Sequence, residues 1–274
     1  MAASDPTAVS RRTALGALGA AAVAPMMGSA AEPAPVRRNV EGKVALVTGS
    51  GRNLGGSTVL ELARRGADVI VNARSNREEA ESVAEEARGF GVRAIALLAD
   101  VGVEEQVNQM IAEGLRQMGR IDILINNAGF RGGRPITEMT TEEWRTAAAV
   151  NFDGPFFCTR ALVPSMIANR WGRIITVSGL NSWHGQANWA HTCGSKMGAV
   201  GMTRALAVEL APHNILVNHV VPGAYLPRPN VTGIPLGRIG LDQELANTYA
   251  FLSSEESSYI TGQVFHVNGG ELRA

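Results

Sequence analysis

Residues 44–56 read VALVTGSGRNLGG, and this stretch decides the fold. The apolar run 44–49 ends in a glycine and predicts a short buried strand. A helical pattern begins near Asn53. Four glycines occur in the stretch, where the backbone must turn tightly and another group can approach it closely. A strand, a glycine-rich turn and a helix in this order predict the first βα unit of a parallel sheet.

The alternation of strand and helix continues along the chain. Further strands are predicted at 67–73, 92–100, 121–129, 172–179, 215–223 and 263–270. Helices are predicted at about 53–65, 76–90, 104–118, 141–169, 191–211 and 241–253. Nearly continuous apolar strands are typical of a parallel sheet covered by helices on both faces. We therefore expect a single doubly wound α/β domain over residues 41–274, with a central, mostly seven-stranded parallel sheet.

The composition indicates a globular protein and disfavours a nucleic-acid or membrane-surface partner. Hydrophobic residues make up 45% of the chain, which is enough for a sizeable core. The 25 basic and 25 acidic residues balance, so no net field attracts nucleic acid or an anionic bilayer. The cysteines, Cys158 and Cys193, form neither a disulfide framework nor a metal-binding spacing. We expect two free, buried thiols and no metal site.

Residues 1–40 have a different character. Arg11 and Arg12 precede a weakly apolar run, 13–27, and then small residues at 29–31. This order is typical of a signal peptide, and the paired arginines favour the twin-arginine route. We predict a signal peptide and linker here and a periplasmic location, with no membrane span because the apolar run is too short. The alternatives are a disordered extension and a cytoplasmic protein.

The loop 48–56 joins the first strand to the first helix, where the pyrophosphate of a nucleotide would meet a helix N-terminus. Arg52 in this loop and Arg74 after the second strand can each donate two hydrogen bonds to a phosphate. Ala73 ends that strand, where an acidic residue usually holds the ribose of NAD. The sequence therefore favours NADP(H) over NAD. The alternative is that both arginines are solvated surface residues.

The loop resembles the TGxxxGxG loop of the short-chain dehydrogenase/reductase family, with Asn53 in place of the middle glycine. Asparagine tolerates left-handed backbone angles, so this departure is mild. Residues 126–129 read NNAG, another motif of the family, and 234–240 and 259–270 match its C-terminal pattern. The resemblance covers about 43–270, is closest in kind to the 3-oxoacyl-carrier-protein reductases, and implies a Rossmann domain with oxidoreductase activity.

The resemblance also implies which residues hold the nucleotide. Asp100 and Val101 resemble the family's contact to the adenine amino group. The NNAG segment is similar to the one that closes over the adenine ring, and Pro222 with Gly223 to the one that faces the nicotinamide carboxamide. The predicted nucleotide contacts are Gly49, Gly51, Arg52, Asn53, Leu54, Gly55, Arg74, Asp100, Val101, Asn127, Ala128, Gly129, Lys196, Pro222 and Gly223.

In the family a tyrosine exchanges a proton with the substrate oxygen, a lysine assists it, a serine binds that oxygen and an asparagine anchors a water chain. Lys196 and Asn151 align with the lysine and the asparagine. The tyrosine position, four residues before the lysine, is occupied by Thr192. The serine position is occupied by Gly179, with Ser178 beside it. A threonine hydroxyl is too basic once ionised to replace a tyrosine, so we expect a slow, atypical site.

Several nearby side chains are candidates for the missing acid. They are His191, His184, Ser182 and Tyr225. His191 is adjacent to Thr192 but points about 100° away around the helix. Ser182 and His184 are predicted on a loop after the fifth strand. For all four, the stronger interpretation is that they have no catalytic part. Trp183 and Trp189 are expected to line the pocket or to pack at its rim.

Two functions stay open at this level. The first is an NADP(H)-dependent enzyme that acts on a small carbonyl or alcohol substrate. The second is a catalytically degenerate protein that binds NADP(H) as a sensor or scaffold. In both cases the resemblance implies a homo-oligomer, a tetramer or a dimer. The segment 224–233 is a short lid whose only charged residue is Arg228, and it predicts an open pocket.

Overall fold

A computed structural model describes residues 37–226 and 230–273. These residues belong to the larger of two units of the chain, residues 36–274. Most of the predicted signal peptide and linker lies in residues 1–36, outside the described residues, so the signal peptide stays a prediction. Arg228 in the lid also lies outside the described residues. Within the described ranges, no helix combines the length and the apolar character needed to cross a bilayer.

Seven parallel strands form one sheet in the order β3-β2-β1-β4-β5-β6-β7. The strands are β1 Val44–Val47, β2 Asp68–Ala73, β3 Ala94–Leu98, β4 Ile123–Asn126, β5 Gly172–Val177, β6 Ile215–Pro222 and β7 Val264–Val267. The central strands β1 and β4 are buried along their whole length. The predicted doubly wound parallel sheet is confirmed.

Helices cover both faces of this sheet. They are α1 Asn53–Arg64, α2 Arg77–Arg88, α3 Glu104–Met118, α4 Thr141–Ala148, α5 Gly154–Asn169, α6 Leu180–His184, α7 Ala190–Leu210 and α8 Asp242–Leu252. Successive strand residues face opposite sides. Ala45 and Val47 therefore pack in one core with α1, α2 and α8, and Leu46 packs in a second core with α3, α5 and α7.

The structure refines one detail of the prediction and corrects two. The long helical region predicted at 141–169 is confirmed, and it contains a π-helical turn, Ala149–Asp153, between α4 and α5. Residues 180–184 form α6 rather than a loop. Cys158 is buried, but Cys193 is partly exposed. A π turn alters the hydrogen bonding of the backbone without altering the hydrophobic pattern, and a one-turn helix is too short to produce such a pattern.

Candidate active site

A cavity of about 850 Å³ follows the carboxyl ends of the central strands. Each strand end contributes a lining residue: Gly49 after β1, Ala73 in β2, Asn127 after β4, Val177 in β5 and Pro222 in β6. The strand order reverses between β1 and β4, and ligands of doubly wound proteins bind in the crevice at this edge. The volume is within the usual range of cofactor and small-molecule sites.

The predicted nucleotide contacts come together in this cavity. All of them line it except Gly223. A Cβ built on Gly223 would lie 2.6 Å from the Cβ of Asn268. The absence of a side chain at Gly223 is therefore required by packing between the end of β6 and the residue that follows β7.

The loop after β1 has a backbone shape that few residue types allow. Gly49 and Asn53 have positive φ angles of 60° and 51°, and asparagine is among the residues that tolerate this conformation. A Cβ on Gly55 would lie 2.5 Å from the carbonyl oxygen of Gly49 and 2.6 Å from Nδ2 of Asn127. Asn127 Nδ2 also donates hydrogen bonds to the carbonyl oxygens of Thr48 and Gly49, at 2.9 and 3.0 Å. The loop is thereby fastened to the end of β4.

The first turn of α1 faces the same cavity. Asn53, Leu54 and Gly55 line it, and the residue that precedes the helix, Arg52, provides no side-chain cap. The first N–H groups of an α-helix have no partner inside the helix, and the helix dipole gives them partial positive charge. This turn is suited to bind an anion such as a pyrophosphate.

Two arginines lie at the end of the cavity near β2, and they differ in their surroundings. The guanidinium of Arg52 is 3.4 Å from Oε1 of Glu79. Arg74 is exposed and forms no ion pair with any residue in the described ranges.

Asn76 caps α2 by accepting a hydrogen bond from the backbone N–H of Glu79 at 3.1 Å. The spacing of Asn76 and Glu79 is typical of the start of a helix. This spacing is the feature of the sequence that could have placed the carboxylate of Glu79 next to the end of β2.

Several lining residues were not predicted from the sequence. They are Asn72, Ser75, Asn76, Glu79, Ala99, Phe130, Arg131, Val150, Val177 and Leu226. Asn72 has the largest structural role: its Oδ1 accepts a 3.0 Å hydrogen bond from the N–H of Gly49, and its Nδ2 donates to the carbonyl oxygens of Ala73, Leu97 and Ala99. It thus joins the ends of three strands. In the sequence, the amide side chain of Asn72 interrupts the apolar run 67–73, and this interruption could have identified Asn72 as a structural residue.

The opposite end of the cavity contains Lys196 and Ser178. The Lys196 side chain is buried, and its Nζ donates a 3.1 Å hydrogen bond to the carbonyl oxygen of Val177. Burial lowers the pKa of Lys196 to about 8, and the positive charge of Arg131 contributes. Ser178 accepts a long hydrogen bond, 3.4 Å, from Nε1 of Trp183. A cation and a hydroxyl therefore face the cavity together.

Asn151 and Thr192 were predicted as catalytic residues, but neither lines the cavity. Asn151 lies in the π-helical turn and holds the loop after β4. Its Oδ1 accepts from the N–H of Phe130 at 2.9 Å, and its Nδ2 donates to the carbonyl oxygen of Phe130 at 3.1 Å. Thr192 is buried in the first turn of α7, and its hydroxyl has no hydrogen-bond partner among the described residues.

The candidates for a replacement acid lie outside the cavity lining. His184 is exposed at the end of α6, and Ser182 is in the same short helix. His191 is buried beside the ring of Phe130. The hydroxyl of Tyr225 donates to the carbonyl oxygen of Val267 at 3.1 Å, and burial raises its pKa to about 12. Lys196 does line the cavity, and its pKa is lowered towards neutrality, to about 8.

The two tryptophans pack around the cavity rather than line it. Trp183 stands edge-on to His266, with ring centroids 4.7 Å apart. Trp189 packs against the loop after β4, where a Cβ on Gly133 would lie 2.9 Å from its Nε1. Both positions agree with the expectation that these tryptophans pack at the rim of the pocket.

The family assignment follows from the sequence, and the sheet order agrees with it. The family model for short chain dehydrogenases matches residues 43–230. The chain therefore belongs to the short-chain dehydrogenase/reductase family and is an oxidoreductase of the kind that binds a nicotinamide cofactor.

Two relatives of the chain are named for one specific reductase activity within this family. The 3-oxoacyl-(acyl-carrier-protein) reductase of Staphylococcus aureus strain N315 is 39% identical over 239 residues, which are 83% of this chain and 97% of that protein. The reductase of the same name from Aquifex aeolicus is 39% identical over 243 residues, 84% of this chain and 98% of its own.

Solved structures are similar over the same region. A gluconate 5-dehydrogenase from Burkholderia cenocepacia J2315, in complex with NADP and tartrate, has a TM-score of 0.80 and 31% identity, over 86% of this chain and 97% of its own. A short-chain type dehydrogenase/reductase from Mycobacterium marinum has a TM-score of 0.79 and 36% identity, over 86% of this chain and 98% of its own.

Replacing Gly55 by alanine should abolish nucleotide binding at micromolar concentrations, because the added Cβ would push Gly49 and Asn127 apart. Overpacking of this kind costs about 1–3 kcal/mol in the free energy of unfolding. Calorimetric titration with reduced nicotinamide dinucleotide and denaturant unfolding measure the two effects. Gly201→Ala in α7 is the control, since a Cβ there meets nothing within 4 Å. Equal binding by Gly55→Ala and the parent would contradict the role assigned to this loop.

Proposed function

We propose that the protein is an NADP(H)-dependent oxidoreductase that transfers a hydride between the nicotinamide and a carbonyl or alcohol substrate. The observation that carries this proposal is the cavity itself, which contains Arg74, the glycine loop and Lys196 in one space. The glycine loop leaves room for phosphates next to a helix N-terminus, and Gly129 leaves room beside Lys196, where a Cβ would lie 3.2 Å from Nζ. These residues fit an extended dinucleotide.

The choice of NADP(H) rests mainly on Arg74. Its guanidinium is free of ion pairs within the described residues, and Ala73 leaves no carboxylate at the end of β2 to hold an unphosphorylated ribose. Arg52 already interacts with Glu79. We therefore assign the 2′-phosphate to Arg74 in the first place. The related gluconate 5-dehydrogenase binds NADP in its structure, which supports the same choice.

We infer that the proton-transfer site is atypical and that Lys196 supplies the proton. Thr192 stands where the family has its tyrosine, and its buried hydroxyl does not line the cavity. A bound nicotinamide supplies or accepts the hydride. The pKa of Lys196 is lowered to about 8, so at that pH its protonated and neutral forms are about equally populated, which suits a group that acts as both acid and base. Ser178 can donate a hydrogen bond to the same substrate oxygen.

Lys196→Ala should lower the rate of carbonyl reduction by NADPH about 10²–10⁴-fold, the usual effect of removing a general acid. For the parent protein, kcat/KM for reduction should fall as the pH rises through about 8, because the ammonium form is lost. Steady-state NADPH oxidation over a panel of aldehydes and ketones measures both effects.

The chain contains only one other lysine, Lys43. Acetic anhydride labelling followed by mass spectrometry can therefore titrate Lys196 directly, and its labelling should have a midpoint near pH 8. Lys43→Arg is the matched variant and should leave turnover unchanged. A labelling midpoint near the ordinary value for lysine would exclude Lys196 as the acid.

A second function, an inactive NADP(H)-binding sensor or scaffold, is supported by the residue type at Thr192, because a threonine hydroxyl cannot exchange a proton as a tyrosine does. The double variant Thr192→Tyr with Gly179→Ser distinguishes the two functions. A Cβ on Gly179 meets nothing within 4 Å, so the serine can be accommodated. If the protein is a sensor, the double variant gains turnover and the parent has none. If the protein is an enzyme, the parent oxidises NADPH, and the double variant increases an existing rate.

We also propose that the protein is a homo-oligomer, a dimer or a tetramer. Phe152 next to α5, Phe156 in α5 and Met197 in α7 are each more than a third exposed. Large apolar side chains clustered on neighbouring elements are typical of a buried interface. Sedimentation equilibrium should give two or four times the mass of one chain, and Phe156→Asp should shift that mass towards the monomer. A monomeric parent protein would refute the proposal.

A further inference from the structure

The charges that line the cavity are distributed unevenly. Its acidic lining residues are Glu79 and Asp100, which follow β2 and β3. Glu79 interacts with Arg52, and an oxygen of Asp100 accepts a hydrogen bond from the N–H of Gly102. At the other end, Arg131 and Lys196 line the cavity without an acidic residue. Within the described residues, that end therefore has positive charge and no counter-ion.

The positive charge of Arg131 acts on Lys196. The charge of Arg131 disfavours the charged form of Lys196, and no carboxylate contributes in the opposite direction. Arg131 also has no ion pair with any described residue. Arg134, three positions further along the same loop, does pair with a carboxylate, that of Glu143, at 2.9 Å. An anion between Arg131 and Lys196 would relieve a repulsion that the described residues leave uncompensated.

The loop that carries Arg131 is held in place on both sides. Asn151 binds both backbone groups of Phe130, and the N–H of Arg134 donates a 2.8 Å hydrogen bond to the carbonyl oxygen of Asn188. A guanidinium whose backbone is fixed loses less entropy when it binds a ligand. Phe130, which precedes Arg131 in the loop, and Leu226 also line the cavity and provide apolar surface.

We propose that Arg131 binds a carboxylate of the substrate, so that the substrate class is an oxo acid or hydroxy acid rather than a neutral carbonyl compound or alcohol. This inference rests on the function proposed above, since it assumes that the reacting oxygen faces Lys196. Guanidinium and carboxylate form paired hydrogen bonds of high directional specificity. The carboxylate takes no part in the hydride transfer and is unchanged by it.

The test compares each acid with its own ethyl ester, which lacks the charge. Suitable pairs are formed by 2-oxobutyrate, acetoacetate and 4-oxopentanoate, which place the carbonyl at increasing distances from the carboxylate. Arg131→Gln should raise KM for the preferred acid about 10–100-fold, as expected for the loss of a charge-assisted hydrogen bond, and should change KM for the ester less than about 3-fold. Arg134→Gln, on the same loop, should change neither.

Binding provides a readout that does not depend on turnover. Calorimetric titration of each acid into protein saturated with oxidised NADP should give a dissociation constant that rises by the same 10–100-fold in Arg131→Gln. The dissociation constant of NADPH should change less than about 3-fold. An equal loss of NADPH binding would assign Arg131 to the nucleotide and overturn the proposal.

The outcomes separate this proposal from the proposed function. If an acid binds only when Arg131 is present but is not turned over, the carboxylate site is supported and the proposed enzymatic function is refuted. Turnover of acid and ester with equal KM, or binding of none of the three acids, overturns the carboxylate site. Turnover of acid and ester with equal KM would still support the oxidoreductase function.

Discussion

The functional half of this structure depends on the hydrogen bonds and close packing that fasten the loop after β1 to the end of β4. Asn127 donates to the carbonyl oxygens of Thr48 and Gly49, and Gly55 packs against the same atoms. β1 and β4 are neighbours in the sheet although many residues separate them in the chain. This contact fixes the crevice at the reversal of strand order, where the nucleotide is predicted to bind.

Much of the fold could be predicted because it depends on short-range patterns. Buried parallel strands require continuous apolar runs, and seven such runs were visible in the chain. The shape of the loop after β1 could be predicted because left-handed backbone angles restrict residue type, as at Gly49 and Asn53. Most of the nucleotide contacts were predicted from the resemblance to the family, and they stay predictions, although all but one of them line the cavity. Gly223 is the exception, and its requirement for glycine comes from Asn268, a long-range neighbour.

The active-site end was harder to predict, because its properties arise from contacts between distant segments. Asn151 could be aligned with a family residue, but its bonds to Phe130 depend on a π turn that leaves no mark in the hydrophobic pattern. The influence of Arg131 on Lys196 joins the loop after β4 to α7. Glu79 was missed because its carboxylate reaches the cavity from a helix that reads in the sequence as an exposed surface.

The π turn also separates the packing of α5 from the position of Asn151. A π turn holds one more residue than an α-helical turn, and the helical residues on either side of it keep their facing. Deletion of a single residue from Ala149–Asp153 would therefore return the segment to the α-helical period and leave Cys158, Leu162 and Met166 buried against the sheet. Asn151 would lose the turn that directs its amide towards the backbone of Phe130. The interior of the protein thus tolerates a length change at this position, whereas the loop after β4 does not.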